Sequence, residues 1–301
     1  MKRYLFVIAL LLLAFSAQAK SLRVTVLLAE EGASYSEFAR SFAAEAARNN
    51  LSLSIDQTSS LPQETDLLVA VGIKSAAMAL NSRFPVLVVL VSKAGFVKLQ
   101  HQILDHLENN IFSAIYLDQP SRRQVDLITV ALPNVKNVGL FVSAQSADMT
   151  SLRKAMTESR LVLHEQQLES DETLHRDLHS LLQKSEILFA IPDAQIYNSS
   201  TMRNILLETY RSGIPIIGFS PAYVRAGALC AVFSTPEQIA KQAVSQARQF
   251  AESGRLSAIQ YPSEFEVMVN PQVARSLGID IKDAATLVRQ MNAATVAGGR
   301  K

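Results

Sequence analysis

Residues 66–91, DLLVAVGIKSAAMALNSRFPVLVVLV, contain the pattern that decides the fold. Two runs that are almost entirely apolar, Asp66 to Val71 and Pro85 to Val91, flank an amphipathic stretch. A strand that is apolar at nearly every position has both faces covered, which is typical of parallel sheets with helices on either side. This stretch therefore predicts a strand, a helix and a second strand of a doubly wound α/β sheet.

The same alternation extends along the chain in both directions. About five candidate strands precede Pro120, and about five more follow it before Pro236. Each set is large enough for its own core, so we predict an α/β protein of two doubly wound parallel-sheet lobes joined by a hinge. Because such sheets bind ligands beyond the carboxyl ends of their strands, two facing lobes predict one cleft. The predicted parts are lobe 1 (20–118 and about 236–258), lobe 2 (119–235 and about 259–290) and a flexible tail (291–301).

Capping patterns predict where three helices start. Ser34 and Ser121 each precede a Glu or Gln by three residues, and Thr235 precedes Gln238 at the same spacing. Two of these patterns directly follow the predicted crossings between the lobes, at Asp118-Gln119-Pro120 and Ser234-Thr235-Pro236. We therefore expect the chain to enter a helix immediately after each crossing.

The first nineteen residues, 1–19, have the composition of a secretory signal peptide. Lys2 and Arg3 precede an apolar run from Tyr4 to Phe15, and Ala17-Gln18-Ala19 is a small-x-small cleavage site. This apolar run is too short to span a bilayer, which disfavours an uncleaved anchor. We expect a periplasmic protein that is soluble after cleavage, and its single cysteine can form no internal disulfide.

Net charge argues against nucleic-acid binding. The chain contains 29 Lys and Arg against 27 Asp and Glu. Removal of Lys2 and Arg3 with the signal peptide leaves 27 of each, so no basic excess remains to neutralise phosphates.

Motifs for catalysis and for metal binding are incomplete. The segment GFSPA at 218–222 resembles a nucleophile elbow but lacks the second glycine, and no histidine follows His179 to act as a general base. His175 and His179 could share one helix face, yet no clear third metal ligand accompanies them. Cys230 lies in an apolar strand, as a core thiol does. We predict no catalytic residue, no metal and no cofactor.

The turn from Gly72 to Ser75 follows a predicted strand and opens a helix. It lacks the upstream glycine of a phosphate-binding loop, which disfavours a nucleotide site. Free backbone N–H groups at such a turn can still bind a carboxylate, with Ser75 as a further donor and Lys74 as a cation. A solvated surface position is the more frequent alternative for Lys74, because lysines are rarely buried.

Five segments carry a family resemblance. They are LPNVKNVG at 132–139, IPD at 191–193, IPIIG at 214–218, RAGAL at 225–229 and VNPQVARSLGI at 269–279. In this order they resemble the ABC-transporter substrate-binding protein family that includes tryptophan- and tyrosine-binding members. The resemblance implies a type 1 periplasmic-binding-protein fold, in which two α/β lobes close around a small molecule.

Carried over residue by residue, the resemblance implies ligand contacts at strand ends in both lobes. An ionised Asp193 is the predicted partner of a ligand ammonium group, and its alternative role is to cap a helix. The tyrosines could line the cleft, or they could pack in the core or at the rim. The predicted ligand-binding residues are Ser75, Lys74, Ser143, Gln145, Asp193, Ser220, Tyr116, Tyr197 and Tyr223.

The expected function is that of a secreted, non-enzymatic solute-binding protein. It would close on a small organic ligand, amino-acid-like or a carboxylate, and present it to the membrane subunits of an ABC importer. The alternative is a periplasmic sensory or accessory module of the same fold that regulates a membrane receptor or kinase; a hydrolase ranks third. An intact cleft with paired hydrogen-bond donors and an anionic group favours solute binding, and a cleft filled by the protein's own side chains favours the sensory module.

Overall fold

The computed structural model describes residues 22–49, 53–80, 82–100, 112–143, 146, 149–168, 172–198 and 200–298. The predicted signal peptide and the predicted ligand contact Gln145 lie outside these ranges. Within them, we find no helix that combines the length and the apolar character needed to cross a membrane.

Strands and helices alternate along most of the described chain. Its first half contains β1 (Leu22–Leu27), α1 (Ala33–Arg48), β2 (Leu53–Thr58), β3 (Leu67–Val71), α2 (Gly72–Ala79), β4 (Val86–Val91), α3 (Lys93–Gln100), β5 (Phe112–Tyr116), α4 (Ser121–Ala131) and β6 (Asn137–Val142). The second half contains α5 (Thr150–Glu158), β7 (Val162–Gln167), α6 (Leu174–Leu182), β8 (Ile187–Phe189), α7 (Met202–Arg211), β9 (Ile216–Gly218), α8 (Pro221–Ala226), β10 (Cys230–Phe233), α9 (Pro236–Ser253), β11 (Glu266–Val269), α10 (Pro271–Ser276) and α11 (Ala284–Gly298).

Lobe 1 is built on a five-stranded parallel sheet in the order β2-β1-β3-β4-β5. Both β3 and β4 are buried at every residue, as expected for central strands that are covered on both faces. Alternate residues of β3 pack in two different clusters, Val69 with side chains of α1 and α9, and Leu68 with side chains of α2 and α3. The helices therefore cover both faces of this sheet.

Lobe 2 is built on a six-stranded sheet in the order β11-β10-β9-β8-β6-β7. All its pairings are parallel except that of β10 with β11. The order β7-β6-β8-β9-β10 repeats the strand order of lobe 1, so the two lobes share one topology. The prediction of two doubly wound α/β lobes is confirmed.

The chain passes between the lobes three times. Residues 117–120 connect β5 to α4, which packs in the core of lobe 2. Residues 234–235 connect β10 to α9, which packs against α1 on sheet 1. Gln260 then forms a parallel bridge with Ile115 of β5, and residues 261–265 lead to β11 in lobe 2. We call these connections the first, second and third crossings.

The capping patterns have different outcomes. At Thr235, the hydroxyl accepts the N–H of Gln238 at 3.2 Å and the backbone N–H donates to that side chain at 3.0 Å, which confirms the predicted capping box. The prediction for Ser34 is wrong, because the N-cap of α1 is Gly32, two residues earlier. Ser121 is the first residue of α4 and does not cap it.

The C-terminal helix extends lobe 2 beyond its predicted end at residue 290. Leu287 and Met291 lie four residues apart on one face of α11, and both are buried in the lobe 2 core. The predicted flexible tail of residues 291–301 therefore needs correction, since this helix continues to Gly298.

Candidate functional site

The carboxyl ends of the strands in the two sheets border one cavity of about 700 Å³. Lobe 1 contributes the turn before α1 and the start of that helix, and lobe 2 contributes the ends of β8, β9 and β10. The first and second crossings also line it. The polar lining residues are Ser34, Tyr35, Glu37, Asp118, Gln119, Gln124, Ser220, Arg225, Ser234 and Thr235.

Much of the remaining wall is apolar. Phe189, Ile217 and Phe219 come from strand ends of lobe 2, while Leu90 and Leu117 come from lobe 1 and the first crossing. Small-molecule sites are typically cavities of about 300–1,000 Å³ with a mostly apolar lining and a few polar groups. The volume and lining of this cavity fit such a site.

Charged side chains of both signs line the cavity. Glu37 on α1 and Arg225 on α8 are exposed, and neither has an ion-pair partner in the part of the chain that the structure describes. Asp118, on the first crossing, accepts the backbone N–H of Lys93 at 2.6 Å. Burial raises the pKa of Asp118, and the hydrogen bond from Lys93 opposes that rise. The cavity can thus offer a cation from lobe 2 and carboxylates from lobe 1 and the crossing.

A second, smaller cavity of about 50 Å³ is lined by Asp193, Ser146 and Tyr261, among others. Asp118 and Gln119 line both cavities. The first crossing therefore borders the two spaces at once.

Asp193 lies at the smaller cavity with a nearly buried side chain. One carboxylate oxygen accepts the hydroxyl of Ser143 at 2.7 Å and that of Ser146 at 2.6 Å. The other accepts the backbone N–H of Gln195 at 3.0 Å. The structure thus brings together two of the predicted site residues, Ser143 and Asp193, in a network that holds the loop after β8. The helix-cap alternative for Asp193 is wrong, because turns follow this residue and the next helix, α7, begins at Met202.

The carboxylate of Glu30 lies beside the turn from Gly72 to Ser75. A methyl group on Gly72, whose φ is +81°, would lie 3.0 Å from Oε1 of Glu30. The other oxygen of that carboxylate pairs with Nζ of Lys74 at 3.4 Å. Ser75 is completely buried, and its hydroxyl accepts the N–H of Ala29 at 2.9 Å. The negative charge of Glu30 beside this turn disfavours a ligand carboxylate here, and the sequence-based placement stays a prediction.

The predicted tyrosines pack inside their lobes. Tyr116 makes edge contacts with Phe96 and Tyr261, with ring centroids 5.8 and 5.3 Å apart, and burial raises its pKa to about 12. Tyr197 and Tyr223 form an edge contact at 5.8 Å. Their hydroxyls are buried without a hydrogen-bond partner among the described residues, and burial raises both pKa values.

Phe219 and Ser220 connect this tyrosine pair to the large cavity. The Phe219 ring lines the cavity and lies 4.4 Å from the ring of Tyr223 and 6.0 Å from that of Tyr197. Ser220 also lines the cavity, and as the N-cap of α8 it accepts the N–H of Tyr223. Of the eight predicted residues that the structure describes, Ser220 is the one that lines the large cavity.

A family model described as ABC transporter substrate binding protein matches residues 28–292, which is most of the chain. The chain belongs to this family of substrate-binding proteins. The resemblance predicted from the five segments is confirmed, and the assignment supports a solute-binding role. No sequence among the curated proteins matches this substrate-binding protein.

Solved structures share the fold of this substrate-binding protein. A substrate-binding protein with adhesive properties from Clostridium difficile, in its ligand-free, open form, has a TM-score of 0.67 at 16% identity, covering 86% of this chain and 95% of that chain. The ABC domain from Streptococcus pneumoniae in complex with L-Trp has a TM-score of 0.61 at 15% identity, covering 90% and 98%. A conserved domain protein from Vibrio cholerae has a TM-score of 0.61 at 18% identity, with the same coverage. The predicted type 1 periplasmic-binding-protein fold is confirmed.

Several cavity residues of this substrate-binding protein were not predicted as ligand contacts. Asp118 and Gln119 belong to a stretch that the sequence marks as a crossing, and Arg225 begins one of the five family segments. Glu37 stood in the capping pattern assigned to Ser34. The signals that could have identified these residues are the crossing for Asp118 and Gln119, the family segment for Arg225 and the predicted helix start for Glu37.

Proposed function

We propose that this chain is a periplasmic solute-binding protein that, after removal of residues 1–19, closes its two lobes around one small organic ligand. It then presents the ligand to the membrane subunits of an ABC importer. The observation that carries the proposal is the cavity of about 700 Å³ between two lobes that the chain connects three times. Family membership supports the importer as the partner.

Closure follows from a difference in affinity between the open and closed states. A ligand that contacts both Glu37 on lobe 1 and Arg225 on lobe 2 binds more tightly when the lobes approach each other, so it shifts the population towards the closed state. This mechanism requires no bond to be made or broken. The proposed role is therefore binding and not catalysis.

The proposed ligand is amino-acid-like or another small carboxylate. A guanidinium group binds a carboxylate through two parallel hydrogen bonds, which makes Arg225 the proposed anion partner. Glu37 and Asp118 are the proposed partners of a ligand ammonium group. These three residues take the roles that the sequence assigned to the turn at Gly72 to Ser75 and to Asp193.

The open cavity favours this function over the sensory or accessory module. A module that works without a ligand needs no space between its lobes, and side chains could fill the cleft. Here the cavity is large enough for a small molecule and is lined by both lobes.

Native mass spectrometry of the protein purified from the periplasm tests the proposal, because it would reveal a co-purifying small molecule. Calorimetric titration of that compound is then expected to show at least about a thirtyfold loss of affinity for Arg225→Ala, since truncating one partner of a charge pair that the bound ligand buries costs ~2–5 kcal/mol. Arg211→Ala, at an exposed arginine at the end of α7, is the matched control. Equal affinity of Arg225→Ala and Arg211→Ala would contradict the proposed anion site, and a mature chain that still begins at Met1 would contradict the proposed export.

A further inference from the structure

Arg123, on α4, bonds to the first and third crossings at once. Its Nη1 donates to Oε1 of Gln119 at 2.7 Å and to the carbonyl of Pro262 at 2.9 Å. Its Nη2 donates to the carbonyl of Ser263 at 3.3 Å, and the guanidinium lies 4.5 Å from the centre of the Phe265 ring. One half-buried side chain of lobe 2 thus holds two of the three connections between the lobes.

Ser234 links the second crossing to the other two. Its hydroxyl accepts Nε2 of Gln119 from the first crossing at 2.9 Å and donates to the carbonyl of Glu264 in the third crossing at 2.5 Å. Both Gln119 and Ser234 are only 5% exposed. Buried networks of this kind favour the single geometry in which every donor and acceptor is paired.

The third crossing is also held from lobe 1. The side chain of Gln242 on α9 donates to Gln260 at 2.8 Å and to the carbonyl of Tyr261 at 3.2 Å, and it accepts the N–H of Ser263 at 2.9 Å. Gln242 of lobe 1 and Arg123 of lobe 2 therefore both form hydrogen bonds to the third crossing.

Rotation of one lobe against the other requires the backbone to turn at all three crossings. Bonds that join one crossing to another keep their lengths in one relative orientation and are strained or broken in others. We propose that Arg123 is a positioning residue. Together with Ser234 it holds the three crossings to one another and sets the preferred angle between the lobes, and we call these two residues the clamp. Arg123 lines neither of the two cavities described above, whereas Ser234 lines the large one, so the role must be tested on protein with no ligand bound. The clamp rests on the two-lobe architecture and not on the proposed ligand.

The angle between the lobes can be measured by pulsed electron paramagnetic resonance on protein from which any co-purifying ligand has been removed by unfolding and refolding. Spin labels at Ser36→Cys, near the cleft end of α1, and at Gln195→Cys, just after β8, occupy exposed positions on opposite lobes. Cys230 is completely buried, so the introduced cysteines are labelled selectively. The measurement gives the distribution of distances between the two lobes.

We expect Arg123→Met and Ser234→Ala each to broaden this distribution or add a second distance. The ratio of the two lobe orientations should change by about tenfold, which is the equivalent of ~1.4 kcal/mol. Ser234→Ala removes one oxygen atom and keeps the proposal testable if Arg123→Met fails to fold.

Each variant has a matched control whose bonds stay within one lobe. Arg122→Met alters the neighbouring arginine, which pairs with Asp126 of the same helix at 2.9 Å. Ser113→Ala alters a buried serine whose hydroxyl donates to the carbonyl of Ser257 at 2.6 Å inside lobe 1. Both controls should retain the parent distribution.

The proposal is overturned if folded Ser234→Ala and Arg123→Met give the parent distribution. It is also overturned if the controls change the distribution as much as the variants do. Because no ligand is added, a failure of the proposed solute-binding function would leave this result unaffected, and the two failures can be distinguished.

Discussion

Replacement of Asp193 by Ala should destabilise lobe 2, because three donors depend on this one carboxylate. The hydroxyls of Ser143 and Ser146 donate to it at 2.7 and 2.6 Å, and the N–H of Gln195 donates at 3.0 Å. With only 7% of Asp193 exposed, the alanine variant leaves these donors beside a small cavity. They lose the acceptor that orders the loop after β8.

The size of the effect follows from the kind of bond. A hydrogen bond to a charged group contributes about 1.5–3 kcal/mol. The three contributions are not additive, because water can enter the truncated site and accept from the hydroxyls, so we expect a total loss of about 2–4 kcal/mol. At an m-value of about 3 kcal/mol/M, the urea midpoint should fall by about 1 M. Asp193→Asn retains one carbonyl oxygen and should lose only about 1 kcal/mol.

Urea unfolding at pH 7, followed by circular dichroism, measures the difference between these variants. Asp280→Ala, at an exposed carboxylate of lobe 2, is the control and should lie within about 0.5 kcal/mol of the parent protein. If Asp193→Ala unfolds at the same urea concentration as Asp280→Ala, the carboxylate does not hold the loop. A loss of ligand affinity without a loss of stability would instead support the sequence-based role of Asp193 as a ligand contact.

Four further outcomes can be measured on the same protein. Gly139→Ala should lower Tm by roughly 2–10 °C, because its methyl group would lie 2.5 Å from Oγ of Ser185, and an unchanged Tm would contradict this close packing. Thr235→Ala should cost about 1 kcal/mol in urea unfolding by removing the capping box of α9. Burial raises the pKa of the fully buried Cys230 thiol to about 12, so a thiol reagent at pH 8 should react with the urea-unfolded chain and not with the folded one. Burial also raises the pKa of Tyr116 from 10.0 to about 12, so the hydroxyl loses its proton at lower pH in the unfolded state than in the folded state. The free energy of unfolding should therefore fall as pH rises from 10 to 12, and the Tyr116→Phe variant should show a smaller fall.

The strands were predictable because their apolar runs are local. The runs from Asp66 to Val71 and from Pro85 to Val91 correspond to β3 (Leu67–Val71) and β4 (Val86–Val91), with each start shifted by one residue and each end unchanged. Burial on both faces forces these runs to be apolar throughout, so the covered parallel sheet can be inferred without knowing the order of its strands.

The partners of the polar groups were not predictable in the same way. Ala29 and Ser75 bond across 46 positions, and Glu30 reaches the turn at Gly72, because β1 lies directly beside β3 in the sheet. Only the strand order brings the loops after these two strands together. The turn therefore had the composition of an anion site, while the residue that supplies the carboxylate lay in a distant part of the sequence.

The positions of the cavity residues assign them different roles in closure. Gln119 lies on a crossing, so a ligand that touches it does so in both the open and the closed state, and that contact adds affinity without favouring either state. Glu37 and Arg225 lie on opposite lobes, and a contact with both is complete only when the lobes approach. The affinity of the open form for ligand should therefore depend on Gln119, whereas the shift of the population towards the closed form should depend on Glu37 and Arg225. The clamp at Arg123 and Ser234 sets the free-energy difference between the open and closed orientations, which ligand contacts with both lobes must exceed.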